Sequence, residues 1–413
     1  MRDCNVVLHG TLIDGTGAAP VGDSAVLVRE GRIEAVGKSE EIEIPKDAQV
    51  IDATGKTVMP GIIEGHAHVG GDPKSQKVLR LSLQRGITTV CSVSANVRGI
   101  ELRNGIEDGS VRGCARLVAG CVVTCTCGHV KYRTADGPWE VRKAIREMVL
   151  AGSDFIKTAA SGGFAGVGGA NEVCAWRNYT PQELEALTEE AHAWGVPVVV
   201  HCHTQPGLNN SIKAGVDQIH HGAFIDEEAV YGIKETDLFY MPTLAVTCQP
   251  NIDALAVRSG NRPWMKREME ESQPIHRAGV RLAHQIGVKL CVGTDYPGTP
   301  NLWKIGDRTM YEMQELVRCG LTPMEAIVAA TRNNAAAYRK LDDIGTLEPG
   351  KKADLLVVSG DPLDDIRVLS DGDNINLVMK DGVVESVDEE HKHYYRVRED
   401  QPADRMHAGE QDT

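Results

Sequence analysis

The sequence predicts an α/β protein with two parts, a (β/α)8 barrel and a small β-sandwich domain formed from both termini. Eight short apolar runs with strand character alternate with stretches of helical pattern, and this alternation is typical of parallel α/β architectures. The predicted strands are residues 61–66, 87–93, 116–120, 154–158, 197–201, 218–221, 238–242 and 289–295. Eight such strands with helices between them favour a closed, TIM-like barrel over an open sheet.

Two helix starts support this alternation. Thr180 and Thr322 are each followed by a proline and, three positions later, by a glutamate. This order places an N-cap, a first-turn proline and a carboxylate at the start of a helix. We therefore predict that a helix begins at each of these threonines.

The two chain ends carry similar short β-branched runs, interrupted by Gly and Asp, that predict strands joined by turns. These runs are residues 5–10, 24–28, 353–358 and 376–384. We therefore predict a small domain of residues 1–58 and 345–387, and a barrel of residues 59–344. Residues 388–413 are rich in charged side chains and have little to bury, which predicts a solvated tail.

Size and composition limit the classes of protein that remain. The 413 residues suit one large barrel plus a minor domain. A net charge of −14 argues against a nucleic-acid partner, because nucleic-acid binding needs clustered Lys and Arg. There is no apolar run near the roughly 20 residues that cross a bilayer, and no signal-peptide pattern. We expect a cytoplasmic protein without a membrane partner, whose eleven cysteines are free thiols.

Two predicted strands end in a pair of histidines separated by one residue. His66 and His68 end the first strand, and His201 and His203 end the fifth. Successive strand side chains point to opposite faces, so each pair shares one face and could chelate a cation. Such a pair alone is a weak signal, because surface histidines also produce it. Three further histidines lie in helical patterns, where we expect surface or helix-end positions: His192, His276 and His284.

Three further strands end in side chains of related chemistry. Lys157 closes the apolar fourth strand, where a lysine either extends to the barrel mouth or takes part in chemistry. His220 and His221 end the sixth strand, and Asp295 ends the eighth. A barrel enzyme carries its active site at the carboxyl ends of its strands. The ordered set therefore predicts an active site, although each residue alone has a structural explanation.

The order of these residues resembles the amidohydrolase superfamily, in which His-x-His, Lys, His, His and Asp end strands one, four, five, six and eight. The flanking segments 58–63 and 343–354 are similar to phrases of the same superfamily. Segments 135–137 and 154–163 resemble its prolidase and Xaa-Arg dipeptidase branch, which includes ochratoxin-type amidases. The resemblance extends over almost the whole chain.

This resemblance implies a centre of two divalent cations, zinc by ligand type, with a bridging hydroxide. The implied ligands are His66, His68 and Asp295 for the first cation, His201 and His221 for the second, and Lys157 for both. Lys157 would be carboxylated by CO2, because a carbamate offers anionic oxygens and an ammonium does not. Asp295 would accept the proton of water and pass it to the leaving nitrogen. The ligand of the sixth strand directly precedes a glycine in the superfamily, which selects His221 over His220.

Two other histidines are predicted to contact the substrate. His129 matches a Gly-His of the relatives that faces the substrate, and a loop-stabilising histidine is the alternative. His203 stands where the relatives carry a tyrosine that polarises the scissile carbonyl, and a histidine could donate the same hydrogen bond. Glu64 and Gly65 also depart from the usual Asp and apolar residue. These departures leave the identity of the substrate open.

We therefore predict a metal-dependent hydrolase that cleaves a C–N bond in a small amide, such as a dipeptide, an N-acyl amino acid or a cyclic amide. The alternatives are a lactonase or ring deaminase on the same barrel, and a catalytically silent scaffold. Lys157 disfavours a deaminase, as does the sequence that follows His201, which is not His-x-x-Glu. A silent scaffold would have lost ligands, and this sequence retains the full set. The expected partners are a small-molecule substrate and further copies of the chain in a homo-oligomer.

Overall fold

The computed structural model describes residues 4–164, 173–258, 263–296 and 306–385, and the predicted tail 388–413 lies outside the described residues. The strands of these ranges are β1 Cys4–Leu12, β2 Val21–Arg29, β3 Arg32–Lys38, β4 Gln49–Asp52, β5 Lys56–Pro60, β6 Ile62–Ala67, β7 Ile87–Ala95, β8 Arg116–Thr124, β9 Arg133–Thr134, β10 Phe155–Ala159, β11 Val198–Cys202, β12 Gln218–His221, β13 Phe239–Met241, β14 Lys289–Leu290, β15 Leu355–Ser359, β16 Ile375–Lys380 and β17 Val383–Glu385. The α-helices are α1 Pro73–Gln84, α2 Val97–Glu107, α3 Pro138–Leu150, α4 Pro181–Ala193, α5 Gly207–Lys213, α6 Glu227–Glu235, α7 Gln249–Arg258, α8 Pro263–Gln285, α9 Asp307–Arg318, α10 Pro323–Val328 and α11 Asn334–Ala337.

Eight strands follow one another in a parallel sheet in the order β6-β7-β8-β10-β11-β12-β13-β14, and the two-residue β9 pairs with β8 as a ninth. Each of the eight corresponds to one predicted strand, but β14 ends at Leu290, earlier than the predicted strand 289–295. The chain after β14 contacts the opposite edge of the sheet, where the Gly65 amide donates to the Val292 carbonyl at 3.0 Å. The curled parallel sheet is consistent with a TIM-like barrel.

The helix starts predicted at two threonines are present. The hydroxyls of Thr180 and Thr322 accept from the backbone amides of Glu183 and Glu325 at 3.3 and 3.2 Å. Each glutamate in turn accepts from the amide of its threonine, at 2.8 and 2.7 Å. These capping boxes satisfy backbone donors that a helix start otherwise leaves unpaired, and they begin α4 and α10 at the expected positions.

Among the described helices, none combines the length and the apolar character that a membrane crossing requires.

A cluster of apolar side chains packs inside the curled sheet. Its buried members include Ile63, Cys91, Val93, Val118, Phe155, Val199, Met241 and Tyr338. Gly120 is required there, because a Cβ at this position would lie 2.0 Å from the Phe155 ring. Lys157 follows Phe155 by two residues along β10, which places it on the same face and nearer the carboxyl end. The polar side chains of this interior therefore lie toward the carboxyl ends of the strands.

Strands from both ends of the described chain form a second sheet, in the order β17-β16-β15-β5-β1-β2-β3 with β4 beside β1. Val7, Val26 and Leu355 belong to the buried apolar cluster on this sheet. The sequence therefore predicted correctly that both terminal regions contribute strands to a shared structure. The predicted domain boundaries at residues 58 and 345 stay a prediction.

Candidate active site

Two groups of potential metal ligands lie at the carboxyl ends of the parallel strands. Within each group, three side chains offer ligand atoms that lie within 4.8 Å of one another. The groups are His66, His68 and Asp295, and His201, His203 and His221. The structure thus brings together five of the six predicted ligands and adds His203, which we predicted as a substrate contact. The rings of His66 and His221 are 4.8 Å apart between centroids, so the two groups adjoin.

Asp295 connects the first group. Its Oδ1 lies 2.7 Å from the Nε2 of His68 and 3.3 Å from the Nε2 of His66. Burial acts to raise the pKa of Asp295, but the adjacent His66 and His68 side chains outweigh it and hold the pKa well below its usual value. Asp295 is therefore a carboxylate at neutral pH, the form that can bind a cation or accept a proton.

The second group consists of three buried imidazoles. The ring of His221 lies 4.5 Å from that of His201 and 4.9 Å from that of His203, between centroids. Burial lowers the pKa of all three side chains well below the usual value. Burial also lowers the pKa of His66 to about 3. These histidines are therefore neutral at pH 7, and a neutral imidazole has the free lone pair that a metal ligand needs.

Lys157 lies on β10, beside the strand that carries His201. The side chain is buried, and its Nζ has no hydrogen-bond partner among the described residues. Burial lowers the pKa of Lys157 to about 7, so this amine loses its proton far more readily than an exposed lysine does. Buried polar groups almost always have partners. An amine without one, next to two ligand groups, fits a lysine that is modified or that binds a ligand.

A chain of hydrogen bonds selects the nitrogen of His66 that is free to bind a cation. Gln218 donates through Nε2 to the Ala337 carbonyl at 2.7 Å, which leaves its Oε1 as the acceptor for the Nε2 of His220 at 3.1 Å. The Nδ1 of His220 then accepts from the Nδ1 of His66 at 2.7 Å. His66 therefore presents the Nε2 lone pair. This role of His220 was not predictable from the sequence, where His220 is only the weaker ligand candidate of its strand.

The backbone is strained at two candidate ligands. His221 and Asp295 have φ angles of 77° and 58°, a left-handed conformation that is uncommon for residues other than glycine. Strict strand alternation would point His221 to the face opposite His220. The left-handed turn at His221 breaks that alternation, so both histidines reach the site. The Nδ1 of His221 lies 2.8 Å from the Thr243 hydroxyl, which leaves Nε2 for a cation.

His129 lies beside the second group, outside both sets of ligands. Its ring stacks on the ring of His201, with centroids 4.0 Å apart and planes 17° apart. Gly163 makes this position possible, since a Cβ there would lie 2.2 Å from the His129 ring. His203 packs against the Phe164 ring at 4.7 Å, and its Nδ1 is buried without a partner among the described residues.

Glu64 supports the first group, and the sequence analysis noted it only as a departure from the usual Asp. The buried carboxylate accepts from the backbone amides of His66 and Thr294, at 2.8 and 2.9 Å. It also accepts from the Thr309 hydroxyl at 2.7 Å. Glu64 thereby joins β6 to the residue that precedes Asp295. A pair of residues this distant in sequence gives no local pattern that could have predicted the contact.

One of the helical histidines does not lie where the sequence analysis expected it. His276 of α8 is buried, with its Nδ1 3.0 Å from the Thr247 hydroxyl, so the expected surface or helix-end position is wrong. α8 packs that face against the chain that follows β13, and helical periodicity cannot show which neighbour covers a face. His192 is partly exposed and pairs with Asp217 at 2.7 Å.

A curled parallel sheet with clustered imidazole and carboxylate ligands at its carboxyl ends defines a hydrolase of the amidohydrolase class. Residues 57–384 match the sequence model of the Amidohydrolase family, and the chain belongs to this family. The prediction of a hydrolytic enzyme that acts on C–N bonds is thereby confirmed. The family is typically metal-dependent, and the two groups described above could bind metal.

Several characterised relatives are similar over most of their length. Ochratoxinase of Aspergillus niger is 28% identical over 436 aligned positions, which cover 91% of this chain and 85% of the relative. Enamidase of Eubacterium barkeri is 26% identical, covering 90% and 92% of the two chains. A crystal structure of a Xaa-Pro dipeptidase with methionine bound in the active site is 28% identical, with a TM-score of 0.80 and coverage of 92% and 99%.

Proposed function

We propose that this chain is a binuclear metal-dependent amidohydrolase, built on a (β/α)8 barrel, that cleaves the amide bond of a small substrate. The observation that carries this proposal is the pair of adjoining ligand groups beside a buried, unpartnered lysine. Nitrogen and carboxylate donors of this kind suit zinc. His66, His68 and Asp295 would hold one cation, His201 and His221 the other, and Lys157 would contribute to both.

As a carbamate, Lys157 would help to hold both cations. Its neutral amine attacks the carbon of CO2 and loses one proton, and the product carries anionic oxygens in place of a nitrogen that cannot bind while protonated. The buried, partnerless Nζ supports this assignment. When bound, the two cations supply Lewis acidity at the substrate carbonyl and lower the pKa of water toward neutrality.

Asp295 accepts the proton of the attacking water and delivers it to the nitrogen that leaves. Its low pKa keeps the side chain unprotonated at neutral pH, so it is ready to act as the base. His203 donates a hydrogen bond to the carbonyl oxygen as this oxygen becomes anionic. His129 contacts the substrate from the opposite side of the His201 ring. Both roles rest on the position of the two rings against His201, with centroids 4.7 and 4.0 Å away.

The substrate that we propose is a dipeptide, an N-acyl amino acid or a cyclic amide. The names of the relatives support an amide of this size, since they include a Xaa-Pro dipeptidase, an ochratoxinase and an enamidase. The candidate metal centre alone does not determine the substrate, because specificity depends on the segments around it. The proposed substrate class therefore rests on the centre and on these relatives together.

The proposal is tested by removing and restoring metal in the purified protein. A panel of dipeptides, N-acyl amino acids and cyclic amides, with lactones and ring amines as comparators, is assayed before and after chelation. We expect hydrolysis of at least one amide class, its loss on chelation and its recovery with Zn²⁺. Activity that survives complete metal removal contradicts the mechanism. Selective turnover of lactones or ring amines contradicts the amide assignment.

A further inference from the structure

The described ranges contain three buried arginines, and Arg308 differs from the other two because no described carboxylate forms an ion pair with it. Arg85 donates to the Asp307 carboxylate at 2.6 Å. Arg116 pairs with Asp354 through a short hydrogen bond. Arg308 is only 2% exposed, and its Nε and Nη1 have no hydrogen bond to any described residue. Buried charges in folded proteins are normally paired, so a guanidinium without an ion pair among the described residues is a candidate position for binding an anion.

Arg308 is connected to the candidate metal centre through its neighbour in the sequence, Thr309. It is the second residue of α9, and its neighbour Thr309 donates to Glu64 at 2.7 Å. Glu64 accepts from the backbone amides of His66 and Thr294 as well. The start of α9 is thereby joined through one carboxylate to the strands that carry the first group of ligands. Burial lowers the pKa of Arg308, and Asp295 is the largest of the charges that oppose this effect.

The acidic side chains of this region are already engaged. Glu64 accepts four hydrogen bonds from backbone and hydroxyl donors. Glu312 accepts from two backbone amides at 2.7 Å each, and burial raises its pKa to about 8. Asp295 is shared by two histidines. A guanidinium stays charged in proteins, and Arg308 therefore holds a positive charge that these carboxyl groups do not pair.

We propose that Arg308 binds a carboxylate of the substrate, so that the enzyme selects anionic amides, such as N-acyl amino acids and dipeptides with a free carboxyl end, over neutral amides. This inference rests on the proposed function, because it assigns the substrate of the same site. A carboxylate matches the planar fork of a guanidinium and would supply the missing counter-charge. A neutral ligand would leave Arg308 buried and unpaired, and that difference is the source of the selectivity.

The kinetic test compares N-acetyl-L-phenylalanine with N-acetyl-L-phenylalaninamide, which differ in the carboxylate alone. The wild-type enzyme is expected to prefer the acid in kcat/KM, and Arg308→Met to reduce that preference about 10- to 100-fold. Arg308→Met should keep its metal content and its Tm, because it removes a charge that has no partner. The matched control is Arg116→Met, which should lower the Tm and keep the preference. A preference that is absent in the wild type, or unchanged in Arg308→Met, overturns the proposal.

A binding experiment separates this inference from the proposed function. Calorimetry with the zinc-loaded protein compares L-phenylalanine with L-phenylalaninamide, and neither probe requires turnover. At least tenfold tighter binding of the acid, lost in Arg308→Met, supports the role of Arg308 even if no amide is hydrolysed. Equal binding of the two probes by the wild type contradicts it even if amides are hydrolysed.

Discussion

The two ends of the parallel sheet differ in whether their buried polar groups have partners. At the amino-terminal end, Arg116 at the start of β8 is paired with both Asp354 and Asp381. At the carboxyl-terminal end, the Nζ of Lys157 and the Nδ1 of His203 are buried without partners among the described residues. The first arrangement stabilises the contact between the two sheets. The second leaves polar groups unpaired at the candidate site, where a ligand could bind them, and the comparison separates the stability of this fold from its function.

The largest effect on activity is expected from removing the buried lysine. Lys157→Ala takes away the ligand that we propose for both cations, and the loss of several kcal/mol of transition-state stabilisation should lower kcat by more than about 10³-fold. Short carboxylic acids with added metal should restore part of the activity, because a free carboxylate can take the place of the proposed carbamate. The matched control is Lys143→Ala, which removes an exposed lysine of α3. Full activity in Lys157→Ala would show that this lysine is a bystander.

A smaller effect on activity is expected from replacing His203, whose Nδ1 is buried without a partner among the described residues. His203→Ala should lower kcat about 10²–10³-fold while the metal content stays intact, because one donor to the developing oxyanion is lost. His203→Tyr should retain activity, since a phenol can donate the same bond. His192→Ala is the control, because His192 pairs with Asp217 away from the site. If His203→Ala loses metal instead, His203 is a ligand of the second cation and the oxyanion role is wrong.

Disrupting the hydrogen bonds from Gln218 through His220 to His66 should lower metal affinity more than it lowers kcat of the metal-loaded enzyme. Gln218→Leu removes the acceptor that orients His220, and we expect zinc affinity to fall about 10- to 100-fold. Gln218→Glu keeps an acceptor oxygen and should recover part of that loss. Competition against a chelator of known affinity measures the change, with Gln249→Leu on the surface of α7 as the control. Unchanged affinity in Gln218→Leu would mean that His66 does not depend on this chain for its orientation.

The smallest effect on activity is expected at the amino-terminal end of the sheet. Asp354→Asn leaves Arg116 with one carboxylate, and breaking a buried ion pair typically costs about 3–5 kcal/mol of stability. Chemical denaturation should show this loss, whereas kcat per folded molecule and metal content stay within about twofold of the wild type. A large loss of activity in folded Asp354→Asn protein would contradict the claim that the amino-terminal end of the sheet contributes to stability and not to activity.

The sequence was sufficient to predict the eight parallel strands and the clustering of most site residues. His66 with His68, and His201 with His203, were predictable because a period of two places alternate side chains on one face. The position of His221 rests on its φ of 77°, and alternation alone would have pointed it away from His220. Its assignment came from the resemblance to the family.

Contacts between distant segments could not be predicted, because they leave no local pattern. Glu64 bonds to Thr309 across 245 positions of the chain, and the burial of His276 depends on a neighbouring segment. The absence of a partner for Arg308 is likewise visible only when the carboxylates around it have been placed. Periodicity identifies the strand or helix that carries a side chain, and tertiary packing decides what that side chain contacts.

The central claim is that two adjoining groups of ligands hold two cations, and the metal content of the purified protein tests it most directly. Elemental analysis of protein prepared without chelators should give about two equivalents of zinc per chain for the wild type. His68→Ala and His221→Ala each remove one ligand from a different group, and each should lower the content toward about one. A reproducible value near zero in wild-type protein that is fully active would contradict the account.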